Sequence, residues 1–389
     1  MNVLHIITGL GCGGAEHTLK NLLSLHQSWA TQTVATLDGR RTALSDELER
    51  TGVPVVRFLS PRALLKMVRG TRPALVQAWM YHANLAGAAL GAVTRIPVLW
   101  NLRRGALVSA DSLLLKSVSR ACAAISSFAP AGIVCCSEAA MQSHIAAGYC
   151  ASKITVIPNG VDSNRFRPSL DLRHSLRREL GLDDTTFVIG HVGRFSAVKA
   201  HPALIAAFAE VAARRPDTAL VMCGQDVTDR NPPLSAALRR HNLNGNVRLL
   251  GFRPDVEKVL PAFDVLACSS LTEGFSNAVA EAMAAAVPVV ATDVGENRVV
   301  IGDTGMVVSA GSPAHLAAGL MALFDLGPDV RLALGERARQ RVFSEYGLAT
   351  MGNRYRQLYE SCARAQAPRT AAKPLVRSRD RQGADTLPL

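Results

Sequence analysis

Two carboxylates, Glu273 and Glu281, stand in a stretch that is otherwise almost free of charge. Between Gly274 and Thr292, Glu281 is the only ionisable side chain, and the residues around it are mostly Ala, Val and Met. A helix that is apolar on every side is usually buried, and burying an unpaired charge is costly. The sequence therefore predicts that Glu281 has a partner or a ligand.

A helix is predicted to begin at Phe275, Ser276 and Asn277 and to end before Pro288, because proline cannot continue a helix. Helical side chains lean toward the N-terminus, so Glu281 should point back to the first turn, where backbone NH groups are unpaired. Such an end suits a phosphate, and carboxylates suit sugar hydroxyls. The pattern predicts a nucleotide-sugar site. The structural alternative is that Glu273 complements the helix dipole and Glu281 pairs with an arginine.

Two cations stand alone in the segment 190–201. Arg194 and Lys199 are the only formally charged residues between Asp184 and Glu210. Two cations in an apolar neighbourhood are costly unless an anion neutralises them, and a diphosphate would do so. The alternative is that each pairs with a surface acid, an arrangement that is common and weak.

The sequences EGFSNAVAE, at 273–281, and GHVGRFSAVKAH, at 190–201, resemble the E-x7-E and G-R-x4-K motifs of the family 4 glycosyltransferases. Other stretches match this family in the same order, from the start of the chain to about residue 363. The resemblance implies an α/β protein of GT-B fold, in which two doubly wound, Rossmann-like parallel-sheet domains face each other across a cleft. It also implies a retaining enzyme that uses a nucleotide sugar. The family often has glycine where this chain has Ala200.

The resemblance also implies roles. Arg194 and Lys199 would bind the donor diphosphate and stabilise the leaving group, Glu273 would orient the sugar, and Glu281 the ribose. Because both acids flank one helix end, we expect departure and attack on one face rather than a covalent intermediate between opposed carboxylates. The chain has no D-x-D sequence and no His and Cys metal-ligand cluster, so we expect no metal and no cofactor. The two cations would replace the metal as charge stabilisers.

The first apolar run is followed by a G-x-G-x-x-G sequence at 9–14. This loop resembles the first loop of the family, in which Gly13 and Gly14 would lie against the donor phosphates or the acceptor. Asp38 lies 24 residues beyond Gly14. An acid at that distance keeps a dinucleotide fold with a carboxylate on the ribose open as an alternative.

Four further residues are weaker candidates. His82 follows a predicted strand, at the carboxyl edge where open sheets bind ligands, and the resemblance implies that it faces the donor sugar. A histidine in an apolar stretch is equally well explained as a core residue. Arg253 would lie near the nucleobase. Arg103 and Arg104 follow another predicted strand and are expected to meet the acceptor or solvent.

Short apolar runs alternate with helical patterns along both halves of the chain, which predicts parallel sheets with helices on both faces. The predicted strands are 3–8, 33–37, 53–58, 75–78, 98–101, 132–137, 187–192, 219–223, 247–251, 265–269, 289–291 and 305–308. The predicted organisation is an acceptor-binding domain at 1–165, a nucleotide-sugar-binding domain at 166–345, a helix at 346–363 that returns to the first domain, and a disordered basic tail at 364–389.

The net charge of +12 is unevenly spread. Lys and Arg number 16 against 8 Asp and Glu in residues 1–165, 21 against 21 in 166–363, and 6 against 2 in 364–389. Aromatic residues are only 5%, which argues against nucleic acid. The excess in the first domain predicts an anionic acceptor or an anionic membrane surface, with four cations at helical spacing as candidates: Arg62, Lys66, Arg69 and Arg72. A solvated helix face is the alternative.

The eight cysteines include no C-x-x-C pair, and the first residues lack the charged start of a signal peptide. With no apolar run of about 18 residues, we expect a cytoplasmic protein, with peripheral association at the inner face of the membrane if the acceptor lies there. We predict a retaining, metal-independent glycosyltransferase that moves a hexosyl group from a UDP- or GDP-sugar to a hydroxyl of a glycan or lipid-linked acceptor. An NAD-type oxidoreductase and a catalytically silent GT-B binding protein are the alternatives.

Overall fold

The computed structural model of the chain describes residues 1–11, 13–25, 30–57, 60–105, 107, 111–243 and 245–366. These residues form two α/β domains, and every strand pair in both domains is parallel. The N-terminal sheet has seven strands and the C-terminal sheet has six. The prediction of two doubly wound parallel-sheet domains is confirmed.

The described residues contain thirteen strands, numbered β1 to β13 in chain order. The first seven are Asn2–Ile7, Thr31–Thr36, Val55–Arg57, Leu75–Trp79, Val98–Leu102, Gly132–Cys135 and Ile154–Val156. The other six are Phe187–Val192, Thr218–Cys223, Val247–Leu249, Val265–Cys268, Val289–Thr292 and Met306–Val308. Only β7 lies outside the predicted set, because three residues at a sheet edge carry no periodic pattern.

The same residues contain fifteen α-helices, numbered α1 to α15. Six lie in the N-terminal domain: Gly14–Ser24, Ala43–Arg50, Pro61–Thr71, Met80–Thr94, Leu113–Ile125 and Glu138–Ala146. The next eight are Leu170–Glu179, His201–Arg214, Pro232–Arg240, Val256–Val259, Asn277–Ala284, Asn297–Ile301, Pro313–Asp325 and Gly327–Glu345, and the last is Leu348–Gln366.

Each sheet reverses its direction of winding once. The strand orders are β3-β2-β1-β4-β5-β6-β7 and β10-β9-β8-β11-β12-β13, so the reversals lie between β1 and β4 and between β8 and β11. Ligands of open α/β sheets bind at such reversals, beyond the carboxyl ends of the strands. The helices that follow these four strands, α1, α4, α8 and α11, therefore begin where a ligand is expected.

The last helix, α15, packs against the N-terminal sheet. Its Tyr355 hydroxyl accepts a hydrogen bond from Asn101 Nδ2 at 2.8 Å, and its Tyr359 hydroxyl donates one to Gln77 Oε1. The helix continues to Gln366, three residues into the segment predicted as a tail. The rest of that predicted basic tail, 367–389, lies outside the described residues.

The chain crosses between the domains near residue 160 and again near residue 347. The two crossings bond to each other, since the backbone NH of Val161 donates to Tyr346 O at 2.8 Å. Asn21 Nδ2 of α1 also donates to Gly160 O at 2.9 Å. The connecting segment is thus fixed to both domains. Within the part of the chain that the structure describes, no helix combines the length and apolar character needed to cross a bilayer.

Candidate active site

The start of α11 is the centre of the candidate site. The helix follows β11, and its N-cap residue, Ser276, makes no side-chain bond to the first turn. α1 of the other domain also starts without a side-chain cap, at Gly13. The two starts face each other, because a Cβ placed on Gly14 would lie 3.7 Å from Asn277 Nδ2. The first turn of α1 carries the carboxylate of Glu16, which accepts a backbone hydrogen bond there, whereas the first turn of α11 carries no acid. An anion in this cleft would therefore be stabilised mainly by the start of α11.

Most of the other long helices of the described chain begin with a side-chain cap. Seven helices of eight or more residues have an N-cap side chain that accepts a hydrogen bond from the first turn: Thr42, Ser60, Ser112, Ser137, Ser169, Asn231 and Ser312. The four helices that follow the central strands, α1, α4, α8 and α11, have no such bond. The long helix α14 also starts without such a bond, at Leu326, so four of these five uncapped starts lie at the edges where ligands of this architecture bind.

Lys199 and Glu273 form an ion pair at this site. Lys199 Nζ lies 2.5 Å from Glu273 Oε1, which also accepts a hydrogen bond from Ser270 Oγ at 2.7 Å. Burial alone would lower the pKa of Lys199, but the charge and hydrogen bond of Glu273, together with a contribution from Cys268, outweigh it, so the pKa is raised. Lys199 is therefore a cation at neutral pH. The sequence placed both residues at the site without predicting their contact, and it gave no signal for Ser270.

The loop that carries Arg194 and Lys199 is fixed at several points. The NH of Gly193 donates to Cys223 O at 2.9 Å, and Ser269 Oγ donates to Lys199 O at 2.7 Å. After Lys199 the chain adopts a left-handed conformation at Ala200, with φ 50° and ψ 43°. This conformation explains why glycine is common at that position in the resembling motif, since a Cβ is strained there.

Arg194 is exposed, and within the described residues its side chain makes no ion pair or hydrogen bond. It lies near the first turn of α1: burial raises the pKa of Glu16, and the positive charge of Arg194 opposes that rise. The predicted alternative for Arg194, a partner among surface acids, is therefore absent from the described chain. A cation without a partner beside two uncapped helix starts is available to bind an anion.

The sequence predicts that Glu281 has a partner or a ligand. Among the described residues its carboxylate makes no hydrogen bond or ion pair, so a ligand stays the prediction. Burial raises the pKa of Glu281 to about 7, with a partial opposing effect from Arg165. Arg165 itself pairs with Glu257 at 2.8 Å. Glu281 is thus a carboxylate on one side of the cleft whose ionisation is opposed by burial, and whose oxygens accept no hydrogen bond from the described residues.

The two acids lie on different sides of the start of α11. Glu273 bonds to groups that follow β11 and β8. Glu281 lies toward β9, because its charge contributes to raising the pKa of Cys223, which burial brings to about 12. Arg253 acts on the same thiol and pairs with Asp255 at 2.8 Å, so it belongs to the Glu281 side.

Of three other predicted residues, one is exposed and two are buried. His82 is exposed in the first turn of α4, after Met80, which has φ 69°. Phe275 is buried against Tyr346, with ring centroids 5.6 Å apart, so its side chain supports the helix start instead of facing the cleft. The expectation that Arg103 meets acceptor or solvent is wrong: it is a buried side chain of the N-terminal core.

The N-terminal domain closes on the loop that holds Glu273. A Cβ on Gly105 would lie 2.4 Å from Glu273 O, and one on Gly274 would lie 3.0 Å from the carbonyl carbon of Arg104. Only glycine permits this approach of two backbones. Arg104 itself pairs with Asp111 at 2.7 Å. The described residues contain no cluster of three or more His, Cys, Asp or Glu side chains that could hold a metal ion.

Three residues of the predicted basic quartet lie on α3, and the fourth, Arg72, is its C-cap residue, with φ 44°. Arg62, Lys66, Arg69 and Arg72 are exposed, and none makes an ion pair within the described residues. The apolar face of the helix points inward, because Leu64 and Val68 are buried in the N-terminal core. The quartet thus presents charge alone, with no apolar surface of α3 for a lipid bilayer.

Comparison with solved structures defines the class. The Anabaena protein HepE, in its complex with UDP-glucose, superposes with a TM-score of 0.83 at 23% identity, over 93% of this chain and 100% of that one. WaaG, a glycosyltransferase involved in lipopolysaccharide biosynthesis, gives 0.70 at 16% identity, over 92% and 99%. These likenesses show the fold, which is the GT-B arrangement predicted from the sequence.

Two family descriptions match the sequence itself. "Glycosyltransferase Family 4" matches residues 13–165, and "Glycosyl transferases group 1" matches residues 186–325. Between them they cover most of both domains. The chain belongs to the family 4 glycosyltransferases, as its motifs predicted.

Curated relatives are similar over shorter stretches. A D-inositol 3-phosphate glycosyltransferase of Corynebacterium jeikeium is 36% identical over 203 residues, which are 49% of this chain and 48% of the relative. A GDP-mannose-dependent monoacylated alpha-(1-6)-phosphatidylinositol monomannoside mannosyltransferase of Corynebacterium glutamicum is 33% identical over 218 residues, or 53% and 55%. The chain spans about half the length of the curated relatives that it matches.

Proposed function

We propose that this protein transfers a hexosyl group from a UDP- or GDP-sugar to an acceptor hydroxyl, with retention of configuration and without a metal ion. One observation carries the proposal. The Lys199–Glu273 pair and the unpaired Arg194 lie beside two uncapped helix starts that come from different domains. A diphosphate is the ligand that uses these groups together, because it offers acceptor oxygens and negative charge to both helix ends.

The proposed chemistry is electrostatic. Arg194, Lys199 and the NH groups of α11 stabilise the charge that develops on the leaving nucleoside diphosphate. Donor binding draws Lys199 toward the phosphate and frees Glu273 Oε1 for the sugar hydroxyls, while Glu281 meets the ribose on the β9 side. Because Glu281 is assigned to the ribose, no second carboxylate is assigned to the reacting carbon, and we favour departure and attack on the same face of the sugar.

Two protein cations take the part that a divalent metal plays elsewhere. Arg194 carries a permanent charge, and Glu273 keeps the pKa of Lys199 raised. Both charges are available at neutral pH without a cofactor. His82, at the start of α4, is proposed to contact the donor sugar. Arg253, on the Glu281 side, is proposed to lie near the base, and Gly13 and Gly14 to pass along the phosphates.

We propose further that the acceptor is anionic or lies at an anionic membrane surface, with the enzyme at the inner face of the membrane. The charge of the N-terminal domain favours this, since α3, α4 and α5 contain no Asp or Glu. The acceptors named for the relatives above, an inositol 3-phosphate and a phosphatidylinositol mannoside, are anionic. Each basic side chain near an anionic bilayer contributes about 1 kcal/mol of attraction.

The test is release of nucleoside diphosphate from UDP-glucose and from GDP-mannose, with water or an added acceptor, in the presence of EDTA. We expect release from one of the two donors, unchanged by EDTA and lost in the Arg194→Ala variant. Release that requires a divalent metal would refute the metal-independent mechanism. Binding of NAD⁺ with no binding of either donor would favour the oxidoreductase, for which Asp38, packed against Gly9, is the carboxylate on offer.

A further inference from the structure

Arg103 is a buried cation without a carboxylate. Its Nε donates to Asn101 Oδ1 at 2.6 Å, its Nη1 donates to Ile157 O at 2.8 Å, and its Nη2 donates to the Tyr355 hydroxyl. No acid of the described chain pairs with it, and burial lowers the pKa of Arg103 to about 10. A buried charge is costly unless its donors are satisfied, so these neutral acceptors hold the guanidinium in one fixed orientation.

The guanidinium fixes the orientation of Asn159, in the segment that joins the domains. Arg103 Nη1 donates to Asn159 Oδ1 at 2.9 Å. A guanidinium has donors only, so the amide of Asn159 cannot turn its NH₂ toward Arg103. The NH₂ group must face the opposite way, and there Asn159 Nδ2 donates to Asn277 Oδ1 at 2.7 Å.

The same constraint passes to Asn277, the first residue of α11. Because its Oδ1 accepts from Asn159, its NH₂ group is directed away from the linker. That nitrogen is the group nearest to Gly14 of the facing helix, and within the described residues it has no acceptor. A free NH₂ donor thus stands between the two uncapped helix starts.

We propose that Arg103, Asn159 and Asn277 form a polar relay that presents the Asn277 NH₂ group to a phosphate oxygen of the bound nucleotide. Arg103 and Asn159 are positioning residues, which act through Asn277 and do not touch the ligand. Tyr355 extends the relay to α15, so the last helix influences the donor site from the far side of the N-terminal sheet. The proposal rests on the nucleotide-sugar function argued above.

The decisive variant is Asn159→Asp, tested by calorimetric titration with UDP and with GDP. The new carboxylate still accepts from Arg103, so the fold gains an ion pair and the melting temperature should not fall. Its second oxygen, however, forces Asn277 to turn its NH₂ group toward the linker and its oxygen toward the phosphate. We expect the Kd of the tighter-binding nucleotide to rise about tenfold, the effect of one hydrogen bond to a charged group.

A double-mutant cycle separates the relay from a general effect of the added charge. Asn277→Ala should also raise the Kd about tenfold, and adding Asn159→Asp to it should change the Kd less than twofold. The matched control, Asn353→Asp, makes the same change on the exposed face of α15 and should bind like the wild type.

Three results overturn the relay. One is wild-type affinity in Asn159→Asp, and another is a tenfold loss on adding Asn159→Asp to the Asn277→Ala background. Wild-type protein that binds neither UDP nor GDP overturns the proposed function and the relay with it, whereas the first two results leave the function standing.

Discussion

In the C-terminal domain, Arg194 and Lys199 lie on one anchored loop, and Lys199 is held 2.5 Å from a carboxylate. In the N-terminal domain, the quartet Arg62, Lys66, Arg69 and Arg72 stands exposed on and next to α3 without partners in the described chain. The first domain has the excess of positive charge, whereas residues 166–363 are neutral, at 21 against 21. The domain proposed to bind a diphosphate therefore has no general positive field.

This contrast separates two uses of a cation. At the donor cleft, charge acts over one contact distance, and the partly buried Lys199–Glu273 pair makes the interaction there strong and dependent on geometry. On and next to α3, the basic side chains together attract an anionic surface, and salt screens this attraction. The attraction depends on the number of charges more than on the exact position of each one. The two sets should therefore respond differently to single substitutions and to ionic strength.

The largest effect is expected for Arg194→Ala and for Lys199→Ala. Loss of one preorganised charge contact in the transition state should lower kcat/KM by about 10² or more, measured as release of nucleoside diphosphate. Arg337→Ala, which removes an exposed cation of α14, is the matched control and should keep full activity. Full activity in both cleft variants would end the assignment of these cations to the diphosphate.

The basic quartet should affect binding to anionic vesicles and leave nucleotide binding unchanged. Changing Arg62, Lys66, Arg69 and Arg72 together to Ser should weaken binding to anionic vesicles, measured by sedimentation, about 10³-fold if all four contribute about 1 kcal/mol each, and about 30-fold if only two of them lie near the surface. Added salt should weaken binding of the unmodified protein in the same way. Nucleotide affinity should not change. Equal sedimentation with neutral and anionic vesicles would remove the membrane from the account and leave the transferase untouched.

Glu281→Gln tests a negative charge of the cleft. The amide keeps the shape and removes the carboxylate, so the Kd of the nucleoside diphosphate should rise about tenfold with the fold intact. Stability should respond in the other direction. The pKa of Glu281 is raised to about 7 from 4.5, so ionisation is opposed in the folded state. The contribution of Glu281 to the wild-type free energy of unfolding is therefore lost as pH rises from about 4.5 to 7. The Gln variant does not ionise at this position and does not show that loss.

Thermal unfolding from pH 4.5 to 8 measures this difference. The melting temperature of Glu281→Gln should exceed that of the wild type by an amount that grows with pH and levels off above pH 7. Glu336→Gln, on an exposed position of α14, should follow the wild type at every pH. A pH-independent difference, or unchanged nucleotide affinity, would make Glu281 an ordinary structural residue.

The smallest effect concerns the anchored loop. Ala200→Gly relieves the left-handed conformation after Lys199, and the flexibility of glycine in the unfolded chain offsets part of the gain. The net rise in the free energy of unfolding should be about 0.5 kcal/mol, read from denaturant titration. Activity should stay within twofold, because Lys199 keeps its place. A loss of stability would show that this strain is absent.

The features predicted from the sequence are those that depend on local patterns of residue types. Apolar runs located twelve of the thirteen strands, and isolation in an apolar segment singled out Arg194, Lys199 and Glu281. The fold confirms the two parallel-sheet domains, and the roles of these residues stay predictions. β7 was not predicted, because a strand of three residues at a sheet edge is too short to show a periodic pattern.

Pairing across long stretches of sequence could not be predicted. The contact between Lys199 and Glu273 joins residues 74 positions apart, and Arg103 meets Tyr355 across 252. Nothing local distinguishes a buried arginine at the end of β5 from one that faces an acceptor. Its burial follows from the packing of α15 on the N-terminal sheet. The return of that helix was predicted, but its contact with Arg103 through Tyr355 was not.

The central claim is that the cleft between the uncapped starts of α1 and α11 binds a nucleoside diphosphate through its own cations. Calorimetric titration of the unmodified protein with UDP, GDP and NAD⁺, in EDTA, tests it most directly, with Arg194→Ala measured beside it. The account predicts that UDP or GDP binds without metal, that Arg194→Ala weakens this binding at least tenfold, and that NAD⁺ does not bind. Binding of NAD⁺ alone, or nucleotide binding that Arg194→Ala leaves unchanged, would contradict it.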